Sequence, residues 1–135
     1  MKAAKKVGKK ANIHIELETG MNRTGIPQHK FKPVLKYIID NQEHINFKGL
    51  CTHFAGAESI TNFHRIQKQK KRFSRAVRGL GRLEMRPKYI HACCSAAAIQ
   101  HPSMIHDMAR IGILQYGFWP SAETLIRYQT RNKLD

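Results

Sequence analysis

Short apolar stretches alternate with segments of helical periodicity along this chain, and that alternation restricts it to a few folds. Four stretches are expected to be strands, at 12–18, 50–55, 89–93 and 108–118. In the first, apolar and polar side chains alternate residue by residue, which is typical of a strand. Three helices are expected between the strands, at 30–44, 60–80 and 95–99. Strands that alternate with helices form parallel βαβ units, so the order predicts an α/β protein of about four βα units.

The longest expected helix, Ile60–Leu80, shows the clearest apolar stripe. Its apolar members recur at helical spacing and are Ile60, Phe63, Ile66, Phe73, Val77 and Leu80. Gly79 and Gly81 are expected to end this helix. Ser95 is expected to cap the next one. The segment beyond Pro120 is polar and predicts no regular element.

Four parallel strands are compatible with two architectures, an open α/β sheet or half of an eight-stranded barrel. No G-x-G-x-x-G or G-x-x-x-x-G-K-[ST] follows any expected strand. A dinucleotide-binding or P-loop site is therefore not indicated.

Several function classes are disfavoured by composition. Apolar residues make up 41% of the chain, but no run approaches the roughly 18 residues of a membrane span. The first ten residues are basic and lack the apolar region of a signal peptide. Cys51, Cys93 and Cys94 form neither a disulfide framework nor a zinc pattern with a second ligand pair. We therefore expect a cytoplasmic chain that does not enter a membrane and has no metal site.

The net charge of +15 is the strongest bulk feature, from 24 Lys and Arg against 9 Asp and Glu. Such a charge predicts attraction to polyanions. Five lysines lie in the first ten residues, and ten more basic residues lie between Arg65 and Lys88. Most of this second cluster falls on an expected amphipathic helix, where it is compatible with a solvated face. A non-catalytic RNA- or polyanion-binding module is the alternative, although nucleic acid is not the favoured partner.

Unusual polar residues follow the expected strands. Arg23 follows the first, His53 the second, His91 and Ser95 the third, and Arg110 with Gly112 marks the fourth. In a parallel α/β fold these positions share the carboxyl edge of the sheet. Arginine pairs with carboxylate or phosphate, and glycine lets a ligand approach the backbone. The pattern indicates an anionic small-molecule site, although each histidine alone is also compatible with simple burial.

Four sequence blocks together resemble the alanine racemase family, in its order and near its spacing. They cover Asn12 to Ser121 and are E-T-G-M-N-R-T-G-I at 18–26, T-H-F-A-G-A-E at 52–58, H-A-C-C-S-A-A at 91–97 and R-I-G-I-L-Q-Y-G at 110–117.

The resemblance implies the C-terminal half of a (β/α)8 barrel over residues 1–121. Residues 122–135 would begin a linker toward a C-terminal β domain. The intact enzyme would be a homodimer that uses pyridoxal 5'-phosphate and an amino-acid substrate. It would supply D-alanine for peptidoglycan. A racemase for another amino acid is a further alternative.

The resemblance also implies roles for individual residues. Arg110 would contact the pyridine nitrogen of pyridoxal phosphate. His53 would lie against the cofactor ring, with His91 in the hydrogen-bond chain behind it. The phosphate would be held by Ser95 and by the backbone N–H groups of Gly112 and Ile113. Arg23, supported by Glu16, would orient the substrate carboxylate.

Two positions depart from the family pattern. Cys94 stands where an asparagine is usual, and a thiol is a weaker hydrogen-bonding group than an amide. Glu16 stands where many relatives have a lysine that becomes carbamylated, so a carboxylate is present without modification.

The catalytic groups of the family have no match in these 135 residues. Nothing resembles the V-x-K-A-[ND]-A-Y-G-H-like motif of the Schiff-base lysine, and the catalytic tyrosine belongs to the partner's β domain. Racemisation needs one base for each face of the α-carbon. We therefore expect these residues alone to be inactive, and half a barrel to be unstable because its sheet edges are exposed.

Overall fold

The computed structural model describes residues 2–131, which include three parallel strands and five helices. Residues 132–135, the last part of the linker expected at 122–135, lie outside this range. The strands are β1 (Ala11–Glu16), β2 (Ile45–Cys51) and β3 (Tyr89–His91). The helices are α1 (Lys2–Val7), α2 (Gln28–Ile39), α3 (Phe63–Arg82), α4 (Ser95–Gln100) and α5 (Ala122–Arg131). Short 3₁₀ turns cover Ile60–Asn62, Pro102–Met104 and Ile113–Tyr116. None of these helices is both long and apolar enough to cross a bilayer.

The sheet has the order β1-β2-β3, and both strand pairs are parallel. One of its faces is apolar: Ile15, Leu50 and Ile90 occupy adjacent positions across the three strands and expose 0–5% of their surface. Side chains from α2, α3 and α4 join them in a single core. Helices on one face of a sequential parallel sheet favour part of a barrel over an open sheet, which would have helices on both faces.

The opposite face of the sheet is polar. Glu16, Cys51 and His91 lie in one cross-strand row, and His14, Gly49 and Tyr89 lie in the next. At the start of the strands, the Asn46 amide donates to Asn12 Oδ1 at 3.0 Å. This alternation in β1 was predicted from the sequence, and it places the polar residues together on the face away from the helices.

α3 is the long helix predicted at Ile60–Leu80, but it begins at Phe63 and ends at Arg82. Ile66, Phe73 and Leu80 are buried as expected. Ile60 and Phe63 are 69% and 50% exposed, so the predicted stripe was wrong at its beginning. The helix also continues through Gly79 and Gly81 to Arg82. It ends where Glu84 adopts a left-handed backbone, with φ of +55°.

The fourth expected strand, 108–118, is absent from the described structure. Only one bridge, between Cys94 and Arg110, continues the sheet. Beyond it the N–H groups of Gly112 and Leu114 donate to Ser95 Oγ at 2.9 and 3.5 Å, and the chain turns into the 3₁₀ segment. The prediction that Ser95 caps α4 was wrong: Cys94 is the N-cap residue, Ser95 is the first residue of the helix, and its hydroxyl oxygen faces the loop at Gly112.

The segment after Pro120 forms α5, although its polar sequence predicted no element. Ser121 and Thr124 cap the helix reciprocally: each backbone N–H donates to the other's hydroxyl at 3.1 Å. The Glu123 carboxylate accepts from the Ser59 hydroxyl at 3.0 Å and the Ile60 N–H at 2.5 Å. These bonds hold α5 against the 3₁₀ turn that precedes α3.

Candidate functional site

Loops that follow the strands surround an open cavity of about 350 Å³. Five of the residues singled out from the sequence line it, and these are His53, Ser95, Arg110, Gly112 and Ile113. Glu58, Cys94, Ala96 and Pro120 complete its walls. A larger groove lies between α2 and the segment that follows α3, lined by lysines and apolar side chains. The smaller cavity is the better candidate because hydroxyl, guanidinium and imidazole groups converge there.

Arg110 is held at the cavity by acceptors from two strand ends. Its guanidinium donates to the carbonyl of Thr52 at 2.8 Å and to that of Ala92 at 3.2 Å. A further hydrogen bond joins its Nη1 to His91 Nδ1. Within residues 2–131 it forms no ion pair with a carboxylate. Its positive charge is therefore fixed in place and available to an anionic or electron-rich ligand.

The protonation state of His91 follows from this contact. Arginine can only donate, so His91 Nδ1 must accept and the proton must lie on Nε2. Burial, the Arg110 charge and His14 lower the pKa of His91 to about 4, which keeps the ring neutral. His91 Nε2 then donates to His14 Nδ1 at 2.9 Å.

His14 is a member of the site that sequence reasoning missed. Its ring lies over Gly49, where an added Cβ would collide with Nδ1 of that ring. It also stacks on Tyr89, with ring centroids 6.0 Å apart. The alternation of apolar and polar residues in β1 could have identified it, because it places His14 on the same polar face as Glu16.

Ser95 and the loop at Gly112 form one wall of the cavity. Ser95 is 4% exposed, and its hydroxyl oxygen is the acceptor that holds the backbone at Gly112. A Cβ at Gly112 would lie 4.0 Å from that oxygen. The wall therefore combines a hydroxyl with a backbone open to close approach.

His53 experiences the charges of both arginines singled out from the sequence. Burial, then the charges of Arg110 and Arg23, lower its pKa, and the Glu16 carboxylate opposes that shift. Direct support of Arg23 by Glu16 is not a contact in the described residues. Instead both Glu16 carboxylate oxygens accept from the Thr24 hydroxyl at 3.0 Å.

The two adjacent cysteines have different surroundings. Cys94, at the position where the family pattern has asparagine, lines the cavity. Cys93 is fully buried in the core, and burial raises its pKa to about 11. Cys93 therefore stays a protonated thiol near neutral pH.

Residues 1–120 match the family model described as alanine racemase, N-terminal domain. The chain belongs to this family. It is 38% identical over 121 residues to an alanine racemase of Treponema denticola, covering 87% of this chain and 31% of that protein. It is 32% identical over 131 residues to a lysine racemase of Oenococcus oeni, covering 93% and 34% respectively.

A solved structure has the same fold. The alanine racemase of Clostridium difficile 630 in complex with cycloserine superposes with a TM-score of 0.80 at 27% identity, covering 90% of this chain and 33% of that one. The α/β arrangement with a parallel sheet thus matches the barrel domain of alanine racemases. The chain spans about a third of the length of the relatives it matches.

Proposed function

We propose that this chain is the C-terminal half of the barrel of an alanine racemase and contributes to its pyridoxal-phosphate site. The observation that carries the proposal is the Arg110 cavity, in which a guanidinium with no carboxylate partner among residues 2–131 lies near Ser95 and the open backbone of Gly112. This donor set fits the group: the guanidinium suits a heteroaromatic nitrogen, and a hydroxyl with backbone N–H groups suits a phosphate. When bound, pyridoxal phosphate would accept electron density from the α-carbon of the substrate.

Arg110 would contact the ring nitrogen of the cofactor. Because a guanidinium does not give up its proton near neutral pH, it would leave that nitrogen unprotonated. Its hydrogen bonds to Thr52, Ala92 and His91 would fix its plane. His91 acts behind Arg110 as a neutral acceptor, so the guanidinium keeps its full charge toward the cavity.

The phosphate would lie against Ser95 and the backbone at Gly112 and Ile113. The cavity wall at this point contains no side chain from Gly112, so an anion can approach the backbone. The Gly112 N–H already donates to Ser95 Oγ at 2.9 Å, so it would have to share its hydrogen with the phosphate, while the Ser95 hydroxyl would donate its own. Cys94 would be a neighbour of this anion and would contribute only a weak donor.

His53 and Arg23 would act on the other parts of the bound molecules. The lowered pKa of His53 keeps its ring uncharged, which suits packing against a flat heteroaromatic ring. Arg23 would orient the substrate carboxylate, with Glu16 as the nearest fixed negative group of β1. The electrostatic influence of both residues on His53 supports their placement around one site.

The direct test is binding of pyridoxamine 5'-phosphate, which lacks the aldehyde that would react with surface lysines. We expect Arg110→Ala and Ser95→Ala each to raise the Kd at least about tenfold, the scale of losing one charge-assisted or anion-directed hydrogen bond. Lys30→Gln, on the exposed side of α2, is the control and should leave the Kd unchanged. Equal affinity of all four proteins would contradict the proposed site.

These residues alone should not racemise alanine, because racemisation needs two bases and no lysine motif or partner tyrosine is present in them. The assay is D-alanine formation from L-alanine with added cofactor. Turnover by the chain alone, or borohydride reduction of pyridoxal phosphate onto one lysine in equal stoichiometry, would overturn this expectation.

Alanine is proposed as the substrate, and lysine is the second candidate because a lysine racemase is among the relatives. The two are distinguished by supplying the remaining two thirds of the Treponema denticola relative in trans and assaying L-alanine and L-lysine in parallel. We further propose a homodimeric, cytoplasmic enzyme that supplies D-alanine for peptidoglycan. The three unpaired cysteines of the structure support a reducing compartment.

A further inference from the structure

The outward face of α3 carries a line of positive charge that the cofactor cavity does not use. Five basic residues follow one another at intervals of three or four positions, Lys68, Lys71, Arg75, Arg78 and Arg82, and all five are exposed. We call them the basic ridge. At 1.5 Å per residue the ridge extends about 21 Å along the helix. It lies opposite the buried side of α3, since each member stands two positions from Ile66, Phe73 or Leu80.

No negative charge balances the ridge. α3 contains no Asp or Glu in its 20 residues. Within residues 2–131 the ion pairs are Lys36–Asp40, Glu43–His44 and Arg86–Asp107, so no ridge member takes part in one. Like charges three and four positions apart destabilise a helix, and a face that is merely solvated usually mixes both signs.

Other arginines of α3 do have a structural use, which separates them from the ridge. Arg65 donates to the carbonyl of Gly20 at 2.8 Å, and Arg72 donates to that of Thr19 at 2.9 Å. These two brace the loop after β1. The ridge members have no comparable bond in the described structure, so the fold does not account for them.

We propose that the basic ridge binds the phosphodiester backbone of a nucleic acid. Successive ridge charges are separated by about 4.5–6 Å along the helix, so they present a straight row of cations to a regularly charged polymer. An acidic amphipathic helix fits less well, because it needs an exposed apolar strip. The groove beside the ridge, between α2 and α3, is floored by Leu17, Phe31, Leu35 and Leu80, which expose only 1–8% of their surface. Leu83, at 61%, is an exposed apolar side chain at its end and does not make a strip along the helix.

The salt dependence of binding tests the proposal. Fluorescence anisotropy with a labelled 20-nucleotide single-stranded RNA should give a slope of log K against log salt of about −3.5 for five contacts, and a duplex of the same length about −4.5. The RNA Kd should therefore weaken about 100-fold between about 50 and 200 mM salt. A slope shallower than about −1.5 on both polymers would overturn the proposal, since it would leave at most two phosphate contacts. The lower Kd at the same salt concentration identifies the preferred form, since the two slopes differ even for the same number of contacts.

Matched variants locate the contact. The double variant Arg75→Gln, Arg78→Gln should flatten the RNA slope by about 1.4 and raise the Kd at least tenfold near 0.1 M salt. Lys5→Gln, Lys6→Gln on α1 removes the same charge elsewhere and should change the Kd far less. Equal losses from both double variants would show that only net charge matters, and would overturn the ridge as a site.

Two further measurements separate nucleic-acid binding from a role of the ridge in the fold and from binding of an acidic protein. Arg75→Glu, Arg78→Glu should abolish RNA binding while the melting temperature stays equal or rises, because positions 71 and 75 and positions 78 and 82 then carry opposite charges four residues apart. A fall in melting temperature that tracks the loss of binding would assign the ridge to the fold instead. Displacement of RNA by poly-glutamate at equal charge concentration would identify an acidic protein as the partner and refute the nucleic-acid assignment. Pyridoxamine phosphate binding should be unchanged in every ridge variant.

Discussion

The neutral state of His91 is the most closely determined feature at the scale of single residues. Arg110 can only donate to it, so we predict that His91 is the Nε2–H tautomer at pH 7 and titrates near pH 4. Replacing Arg110 with Gln removes a neighbouring positive charge and should raise the pKa of His91, although burial still opposes protonation. Nitrogen-15 NMR of the imidazole rings measures both the tautomer and the pKa of His91. Lys48→Gln is the control, and an Nδ1–H tautomer would contradict the assigned hydrogen bond.

Gly49 is required by the ring of His14. In Gly49→Ala the new methyl group would collide with that ring, so His14 must move and lose its bond to His91. We expect a loss of about 1–3 kcal/mol in the free energy of unfolding, typical of overpacking. Gly79→Ala is the matched control: its Cβ meets nothing within 4 Å inside α3. It should stabilise the protein by up to about 1 kcal/mol. Urea denaturation compares the two, and equal effects would refute the close contact at Gly49.

At the scale of secondary-structure elements, the side of α3 that packs on the sheet can be tested directly. Phe73 is fully buried, so Phe73→Ala should lower the free energy of unfolding by about 3–5 kcal/mol. Phe63 belongs to the same expected stripe but is 50% exposed, and Phe63→Ala should cost less than about 1 kcal/mol. Chemical denaturation of both variants measures the difference. A larger effect at Phe63 would mean that α3 packs through a different face.

Elements with a strong period were predictable from the sequence, and those set by distant hydrogen bonds were not. The alternation of apolar and polar residues around Ile15 predicted β1, and apolar residues at helical spacing predicted most of α2 and α3. β2 spans Ile45–Cys51 and not the predicted 50–55. It begins at Ile45 because the chain pairs there with Ala11 of β1, and after Cys51 the Thr52 hydroxyl donates to the Leu17 carbonyl as the chain leaves the strand. The Ser95 contact that turns the chain at Gly112 is similarly remote in sequence.

The candidate site was predictable to a similar degree. Residues after parallel strands must share one edge, which explains why His53, Ser95 and Arg110 were found together. His14 was missed because it lies within β1, where its role depends on the neighbouring Gly49. α5 had a local signal, since Ser121 and Thr124 have the spacing of a capping box, but a threonine replaces the usual Glu or Gln.

At the scale of the whole molecule, the two faces of the sheet differ: helices pack on one face and no helix packs on the other within the described residues. Helices cover the apolar side of the sheet, while the opposite side presents His14, Glu16 and Tyr89. Large apolar side chains are exposed after Arg110, including Tyr116 at 71% and Phe118 at 66%. Their exposure explains why the chain by itself is expected to be marginally stable and prone to associate.

Stability of the whole chain should fall in mild acid, because buried neutral histidines must be protonated on unfolding. His91 and His101 have pKa values lowered to about 4, in each case first by burial. In the unfolded chain they titrate near about 6.5, so between that pH and 4 the unfolded state binds protons that the folded state does not. The free energy of unfolding should therefore decrease as pH falls through this window. His91, 6% exposed, contributes up to about 1.4 kcal/mol per pH unit, and the more accessible His101 contributes less.

Urea denaturation between pH 7 and 5 isolates this effect, because carboxyl groups titrate mainly below that range. His91→Gln keeps an acceptor for Arg110 and removes the titrating ring, so it should flatten the dependence even if it lowers stability at pH 7. His29→Gln, on the exposed surface of α2, should leave the slope unchanged. A free energy of unfolding that rises or stays constant from pH 7 to 5 would mean that His91 takes up a proton in the folded state. The hydrogen bond from Arg110 could not then exist as assigned, since protonated Nδ1 has no lone pair to accept it.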